Sequence, residues 1–149
     1  MNSEPIVTEL RLPTRLGFEK VAMSTAASVA ELMGFSSDRV EDLKTAVSEA
    51  CINAIEHGNG LDELLGVVVT MSMGPDSLEV KIRDHGPGVQ KSEMHTPDID
   101  RKMLGEEDPR GMGMFLIQAL VDEVEYVSGQ PGGGNYARLT IHLHPGSRT

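Results

Sequence analysis

Three short stretches of this 149-residue chain combine residue types suited to phosphate and proton chemistry. In the first, Glu49 and Asn53 stand four residues apart. On a helix that interval puts both side chains at neighbouring positions of one face. A carboxylate so placed can take a proton from an attacking hydroxyl or water, and an amide oxygen can ligate Mg²⁺ without adding charge. The second stretch is Asp84-His85-Gly86-Pro87-Gly88, directly after an alternating apolar run. An aspartate at a strand end can accept a hydrogen bond from an exocyclic amine, and glycines let backbone approach a planar ligand. The third is Arg110-Gly111-Met112-Gly113-Met114, at the head of an apolar segment. Free amides at a helix N-terminus carry partial positive charge, which suits phosphate oxygens.

Each stretch also has a plainer reading. The pair could be solvated on the outer face of an amphipathic helix, the Asp-Gly run an ordinary turn, and the Gly-Met run a glycine-rich cap. The spacing at Asp84 is not the dinucleotide fingerprint, which needs other glycine intervals and a following helix. Two further candidates read as structural. His142 and His144 share a strand face without a Cys or carboxylate at ligand spacing, so they suit a solvated strand end rather than a metal. Cys51 falls on an apolar helix side and reads as a core thiol rather than a nucleophile.

The elements that must position these residues follow from periodicity. Residues 5–12 alternate as an edge strand, and 15–33 have helical spacing stopped by Gly34. A second helix opens near Asp38, where Asp38 and Glu41 have capping-box spacing, and ends at Gly58 and Gly60. It carries Val40, Leu43, Val47, Cys51 and Ala54 on one side, with Glu49 and Asn53 roughly opposite. Residues 67–73 and 78–83 form a hairpin around Gly74-Pro75-Asp76. Residues 89–110 are polar and aperiodic, as in a functional lid. Residues 112–121 form a nearly all-apolar helix, expected to be buried, and 124–128 and 136–143 are two more strands around a Gly-rich turn. The order predicts an α+β fold: a two-layer sandwich with helices on one face of a mainly antiparallel mixed sheet. Residues 1–149 form one domain, with the lid at about 89–110.

Composition narrows the partners. A formal net charge of −10 repels a phosphate backbone, and 3% aromatic residues leave few rings to stack on bases, which argues against direct nucleic-acid binding. No apolar run reaches the roughly 18–20 residues of a membrane span, and residues 1–10 lack a basic-then-apolar leader. One lone cysteine suits a reducing compartment. The expectation is a cytoplasmic protein without a membrane partner.

Taken in order, the three stretches resemble the Bergerat ATP-binding fold, shared by sensor histidine kinases, type II topoisomerases, a heat-shock chaperone and mismatch-repair ATPases. The runs TAVSEACINAIEHGN (45–59) and GMGMFLIQALVDEVEY (111–126) are most similar to stand-alone anti-sigma factor serine kinases. That resemblance implies Glu49 as general base, Asn53 as Mg²⁺ ligand, and His57 and Gly58 on the phosphate side. It implies Asp84 as acceptor for the adenine amine and Gly86 and Gly88 as the wall beneath the base. Gly111, Met112 and Gly113 would offer amides to the phosphates, with Arg110 a basic neighbour. It also implies ATP and Mg²⁺ as ligands, phosphoryl transfer to a serine of a small STAS-type anti-sigma antagonist, a sigma factor or related regulator as second partner, and a homodimer. The acidic net charge does not oppose ATP, because local amides and the metal recognise a nucleotide. Two other readings are a non-catalytic module of this fold that sequesters a regulator, and an ATPase that uses water. The family's Gly-Thr pair near the start of the last strand, whose Thr helps bind adenine, aligns here with Arg138-Leu139. Either Thr140 or a water substitutes, or nucleotide affinity is reduced, which favours the sequestering module, whereas Glu49 and Asn53 favour the kinase.

Overall fold

Period-two alternation builds five strands: β1 (Ile6–Pro13), β2 (Gly66–Met73), β3 (Ser77–Asp84), β4 (Glu123–Val127) and β5 (Asn135–His142). The structure is a computed structural model that describes residues 4–86, 109–129 and 134–143. Every second residue of β3 and β5 is buried, as are Val67, Val69 and Met71 of β2. One sheet face is therefore apolar, and the other carries Thr70, Lys81 and Arg138. The strand order is β1-β2-β3-β5-β4, with all four pairings antiparallel. β1 lies at the edge, as its alternation predicts. The registers set Asp84 opposite Asn135, and Ala137 between Ile82 and Tyr126. Directly opposed residues share a face, so these five side chains look the same way, toward the helices.

Among the described residues three helices cover that face: α1 (Glu19–Met33) over β2, α2 (Ser37–Asn53) over β3, and α3 (Pro109–Leu120) over β4. The stripe Val40, Leu43, Val47 and Cys51 of α2 is buried as its spacing predicts. Gly34, at φ 93°, closes α1 in the left-handed conformation that glycine adopts without penalty. Cys51 is wholly buried, and burial, then the charge of Glu19, pushes its thiol up to about 12, so it stays a protonated core group.

Three boundaries differ from expectation. α1 begins at Glu19 rather than residue 15, because Arg15 and Phe18 are taken up in turn hydrogen bonds. Ser36, not Asp38, caps α2: Ser36 is extended (φ −65°, ψ 158°) and its Oγ accepts from the Arg39 amide at 3.3 Å. α3 begins at Pro109, whose fixed φ and missing N–H suit a first helical turn. Nor is α3 buried all round. Met114, Ile117 and Val121 face the core, but Gln118 and Ala119 are exposed, since a helix at the end of the layer has a neighbour on one side only. Of the expected lid, all but Pro109 and Arg110 lies outside the described residues, as does Gly88.

Arg39 ties α2 to the end of α3. Its guanidinium donates to the Leu120 carbonyl at 3.1 Å, to Asp42 at 2.9 Å and to Asp122 at 3.1 Å. Among the described residues no helix is long and apolar enough to cross a membrane.

Candidate active site

The last turn of α2 runs into a π-helical turn, Ala54–Gly58, a local widening that often accompanies functional sites. Glu49 and Asn53 sit just before it, half-buried on the side facing α3. A Cβ built on Gly113 would stand 3.0 Å from Glu49 Oε2 and 3.7 Å from each terminal atom of the Asn53 amide. The pair therefore faces a second helix across a glycine gap rather than open solvent. The Asn53 Nδ2 atom is shielded from water and has no hydrogen-bond partner among the described residues. Burial, and then the neighbouring charge of Glu56, holds the Glu49 carboxyl above the usual carboxylate range.

From this corner a cleft of about 430 Å³, counting its open mouth, runs to the end of β3. Asn53, His57, Gly58 and Asp84 line it, with Met114 of α3 and Ala137 of β5. At its far end two glycines let three segments touch. A Cβ on Gly86 would lie 1.2 Å from the Gly58 carbonyl oxygen, and one on Gly58 would lie 2.3 Å from Asp84 Oδ2. Asp84 is buried, and its Oδ1 accepts from the Gly86 amide and from Asn135 Nδ2, both at 2.8 Å. Oδ2 accepts nothing from the described residues. One oxygen thus fixes the carboxylate, and the other remains available.

Sequence reasoning missed two asparagines. Asn135 is buried; besides Asp84 it donates to the Gly86 carbonyl at 2.9 Å, and its own Oδ1 accepts from the Gly129 amide at 3.4 Å. Gly134 precedes it at φ 98°, where a Cβ would come within 2.5 Å of the Asp84 carbonyl. This Gly-Asn pair, not Arg138-Leu139, stands beside Asp84. Leu139 is fully buried in the core, Arg138 lies on the open face of the sheet paired with Glu125 and Glu79, and Thr140 is on that face too, opposite Glu79 and Glu123. The expected alignment slipped by four residues, an even number, so alternation could not reveal the error.

Asn59 is the second. Its amide donates to Thr14 Oγ1 at 2.9 Å and the Gly66 carbonyl at 3.1 Å, and its Oδ1 accepts from the His85 amide at 2.7 Å. It fastens the end of β1, the start of β2 and the end of β3 around the glycine crossing. Asn59→Ala should cost about 2–3 kcal/mol by leaving buried groups unsatisfied. Urea unfolding measures this, and a loss below about 0.5 kcal/mol would mean that water replaces the side chain without penalty.

Of the remaining candidates, Arg110, Gly111 and Met112 belong by backbone to the first turn of α3. The first four N–H groups of a helix lack intrahelical acceptors. Pro109 has none, so these three residues carry the amides that lack an intrahelical acceptor, while Gly113 sits one position deeper and gives room to Glu49. On the open face His142 Nε2 meets Glu123 Oε2 at 2.9 Å, and His144 lies outside the described residues.

Residues 12–141 match the histidine kinase-like ATPase domain family. The chain is 32% identical over 139 residues to serine-protein kinase RsbW of Bacillus velezensis, covering 91% of this chain and 85% of that protein. Against the RsbW of Bacillus pumilus it is 35% identical over 130 residues, 84% of this chain and 80% of the relative. In fold it is similar to a Mycobacterium tuberculosis protein whose crystal structure comprises RsbU and RsbW domains. That match has a TM-score of 0.65 at 20% identity, over 93% of this chain and 32% of the longer one.

Proposed function

The chain belongs to the histidine kinase-like ATPase family and, within it, to the RsbW serine-protein kinases, and from that premise we propose that it binds Mg²⁺·ATP in the cleft and phosphorylates a serine on a partner protein. The observation that carries this reading is the meeting of Glu49, Asn53 and Gly113 beside a cleft that Asn53 and Asp84 both line. The free Oδ2 of Asp84 would accept a hydrogen bond from the adenine amine, with Asn135 holding the carboxylate in place. Gly58 and Gly86 would form the backbone wall, and the amides of residues 110–112 would receive phosphate oxygens.

Glu49 would take the proton of the acceptor serine as its oxygen attacks the γ-phosphorus in line. The bond to the bridging oxygen breaks, and ADP leaves. A carboxyl held above its usual range suits this work, because a base is most effective near the operating pH. The orphaned Asn53 amide, beside Glu49 and facing the Gly113 gap, fits a ligand to a divalent cation; a half-turn of the amide exchanges nitrogen for oxygen. When bound, Mg²⁺ supplies counter-charge to the phosphate oxygens. Among the described residues no three His, Cys, Asp or Glu side chains cluster as a cage, so phosphate oxygens and water would complete the coordination.

The acceptor is proposed to be a small STAS-type antagonist and the second partner a sigma factor or related regulator. A homodimer working in the cytoplasm, by switching between these partners, is part of the same reading. The rival reading, a sequestering module without catalysis, draws on the unusual final strand; the hydrogen bond from Asn135 to Asp84 supports the nucleotide reading instead. Isothermal titration tests the proposal. Mg²⁺·ATP should bind the parent, and Asn53→Ala should weaken binding about 10–100-fold in Mg²⁺ while leaving binding in EDTA unchanged. A flat trace for the parent would overturn the nucleotide reading.

A further inference from the structure

One cleft-lining group has no part in the chemistry above. Tyr126 of β4 lines the same cleft as Asp84 and Asn135, and its hydroxyl is shielded from water with no hydrogen-bond partner among the described residues. Buried tyrosine hydroxyls ordinarily find a partner, and leaving one unmatched is unfavourable. Desolvation moves its ionisation far upward, so the phenol stays protonated and able to donate at neutral pH. The register sets Tyr126 against Ala137, with Ile82 on the other side of Ala137. β3 and β4 thus flank β5, and their side chains rise about 9–10 Å apart across the cleft floor. Ala137 carries the small side chain between them on the cleft floor.

We propose that Tyr126 is a specificity-determining residue whose hydroxyl donates to an unprotonated ring nitrogen of the bound base, opposite the amine held by Asp84. The proposal rests on the reading of the cleft as a nucleotide site. Asp84 faces the cleft as an acceptor, whereas the Tyr126 hydroxyl donates. The pair therefore selects a bicyclic base with an amine on one edge and a bare ring nitrogen on another. A 6-oxo purine would set its carbonyl against the Asp84 carboxylate, which repels it. The hydroxyl, unmatched in the free protein, gains its partner only when the base is in place.

That asymmetry gives a test that a purely structural role fails. Tyr126→Phe keeps the ring and removes the unmatched hydroxyl, so the free variant should melt no lower than the parent, while its Kd for Mg²⁺·ATP rises about 3–10-fold. A series of 1-deaza, 3-deaza and 7-deaza ATP should contain one analogue that costs the parent a similar factor and costs Tyr126→Phe nothing further, the signature of a direct pair in a double-mutant cycle. With no Trp and only two Tyr in the chain, tyrosine emission gives an independent binding signal, absent from Tyr126→Phe if Tyr126 is the reporter. The other ring, Tyr136, lies under the Lys81 ammonium 4.6 Å from its centroid. Equal affinity of parent and variant for ATP would overturn the proposal and leave the nucleotide reading intact. So would a loss shared evenly by every deaza analogue, which would mark a contact through water. If the parent binds no nucleotide, the cleft reading fails and this inference falls with it.

Discussion

Glu49→Gln is expected to lower phosphoryl transfer about 10²–10⁴-fold while Mg²⁺·ATP still binds, the range attributed to a positioned general base. Glutamine keeps the size of the side chain, and so its fit against Gly113, where a Cβ would already stand 3.0 Å from Oε2. What it loses is the capacity to accept the serine proton. Transfer of labelled phosphate to the cognate antagonist, beside titration of nucleotide binding, separates the two. Transfer at the parental rate would remove Glu49 from the reaction.

The same substitution has a second effect, of opposite sign, on stability. Burial and then Glu56 raise the Glu49 carboxyl above its usual value, which means that ionising it is harder in the folded chain than in the unfolded one. The stability linked to its proton is fully present below the unfolded value and is lost as pH rises through the raised one. Glu49→Gln carries no such penalty. Its melting temperature should exceed the parent's near pH 7, and the difference should close as pH falls below the ordinary carboxylate value of about 4.5. A difference independent of pH would mean that the desolvated charge is not the cause. Gain of stability with loss of transfer is the usual mark of a strained functional group.

The sequence made much of this legible because its signals are local. Alternation at Val67, Val69 and Met71 marks a buried strand face, and a four-residue interval places Glu49 beside Asn53. Neither tells which helix the pair faces; that depends on Gly113, sixty residues on, packing against it. Asn59 and Asn135 were invisible for a related reason. Each is a single polar residue among buried apolar ones, and its partners lie as far as 45 and 51 residues away, so no window of sequence contains the bond. At the start of α2, Ser36, Ser37 and Asp38 are all able to cap, and only the backbone conformation of Ser36 decides among them. At α3, the acidic run before Pro109 reads as loop, although a proline at a first helical turn is favourable.

The glycine crossing yields the largest effect on the fold. In Gly86→Ala the new Cβ would meet the carbonyl oxygen of Gly58 at 1.2 Å and its carbon at 2.2 Å, where real contacts stay beyond 3.0 Å. Both are backbone atoms, so no rotamer relieves the clash, and the π-helical turn and the end of β3 must part by nearly 2 Å. The hydrogen bonds that hold Asp84 are attached to the displaced residue: the Gly86 amide donates to Asp84, and the Gly86 carbonyl accepts from Asn135. The variant should lose about 3 kcal/mol or more of stability and bind ATP at least about 100-fold more weakly, as misplacement of a ligand-holding group by an ångström or more allows. Gly66→Ala is the control, because its Cβ meets only the Leu12 carbonyl at an ordinary 3.5 Å; it should melt and bind as the parent does. Gly58→Ala divides the two effects, since its Cβ strikes the Asp84 side chain instead of backbone. The contacts reach back to the Asp84 Cβ at 2.9 Å, so the whole side chain must shift and strain its bonds to Gly86 and Asn135. Stability falls, though less than where backbone meets backbone, and the base-facing oxygen moves. Thermal unfolding and ATP titration of the three variants should therefore rank Gly86→Ala lowest in both, leave Gly66→Ala unchanged in both, and show Gly58→Ala losing affinity out of proportion to stability. If Gly86→Ala melted and bound like the parent, the backbone approach that shapes this end of the cleft would not exist.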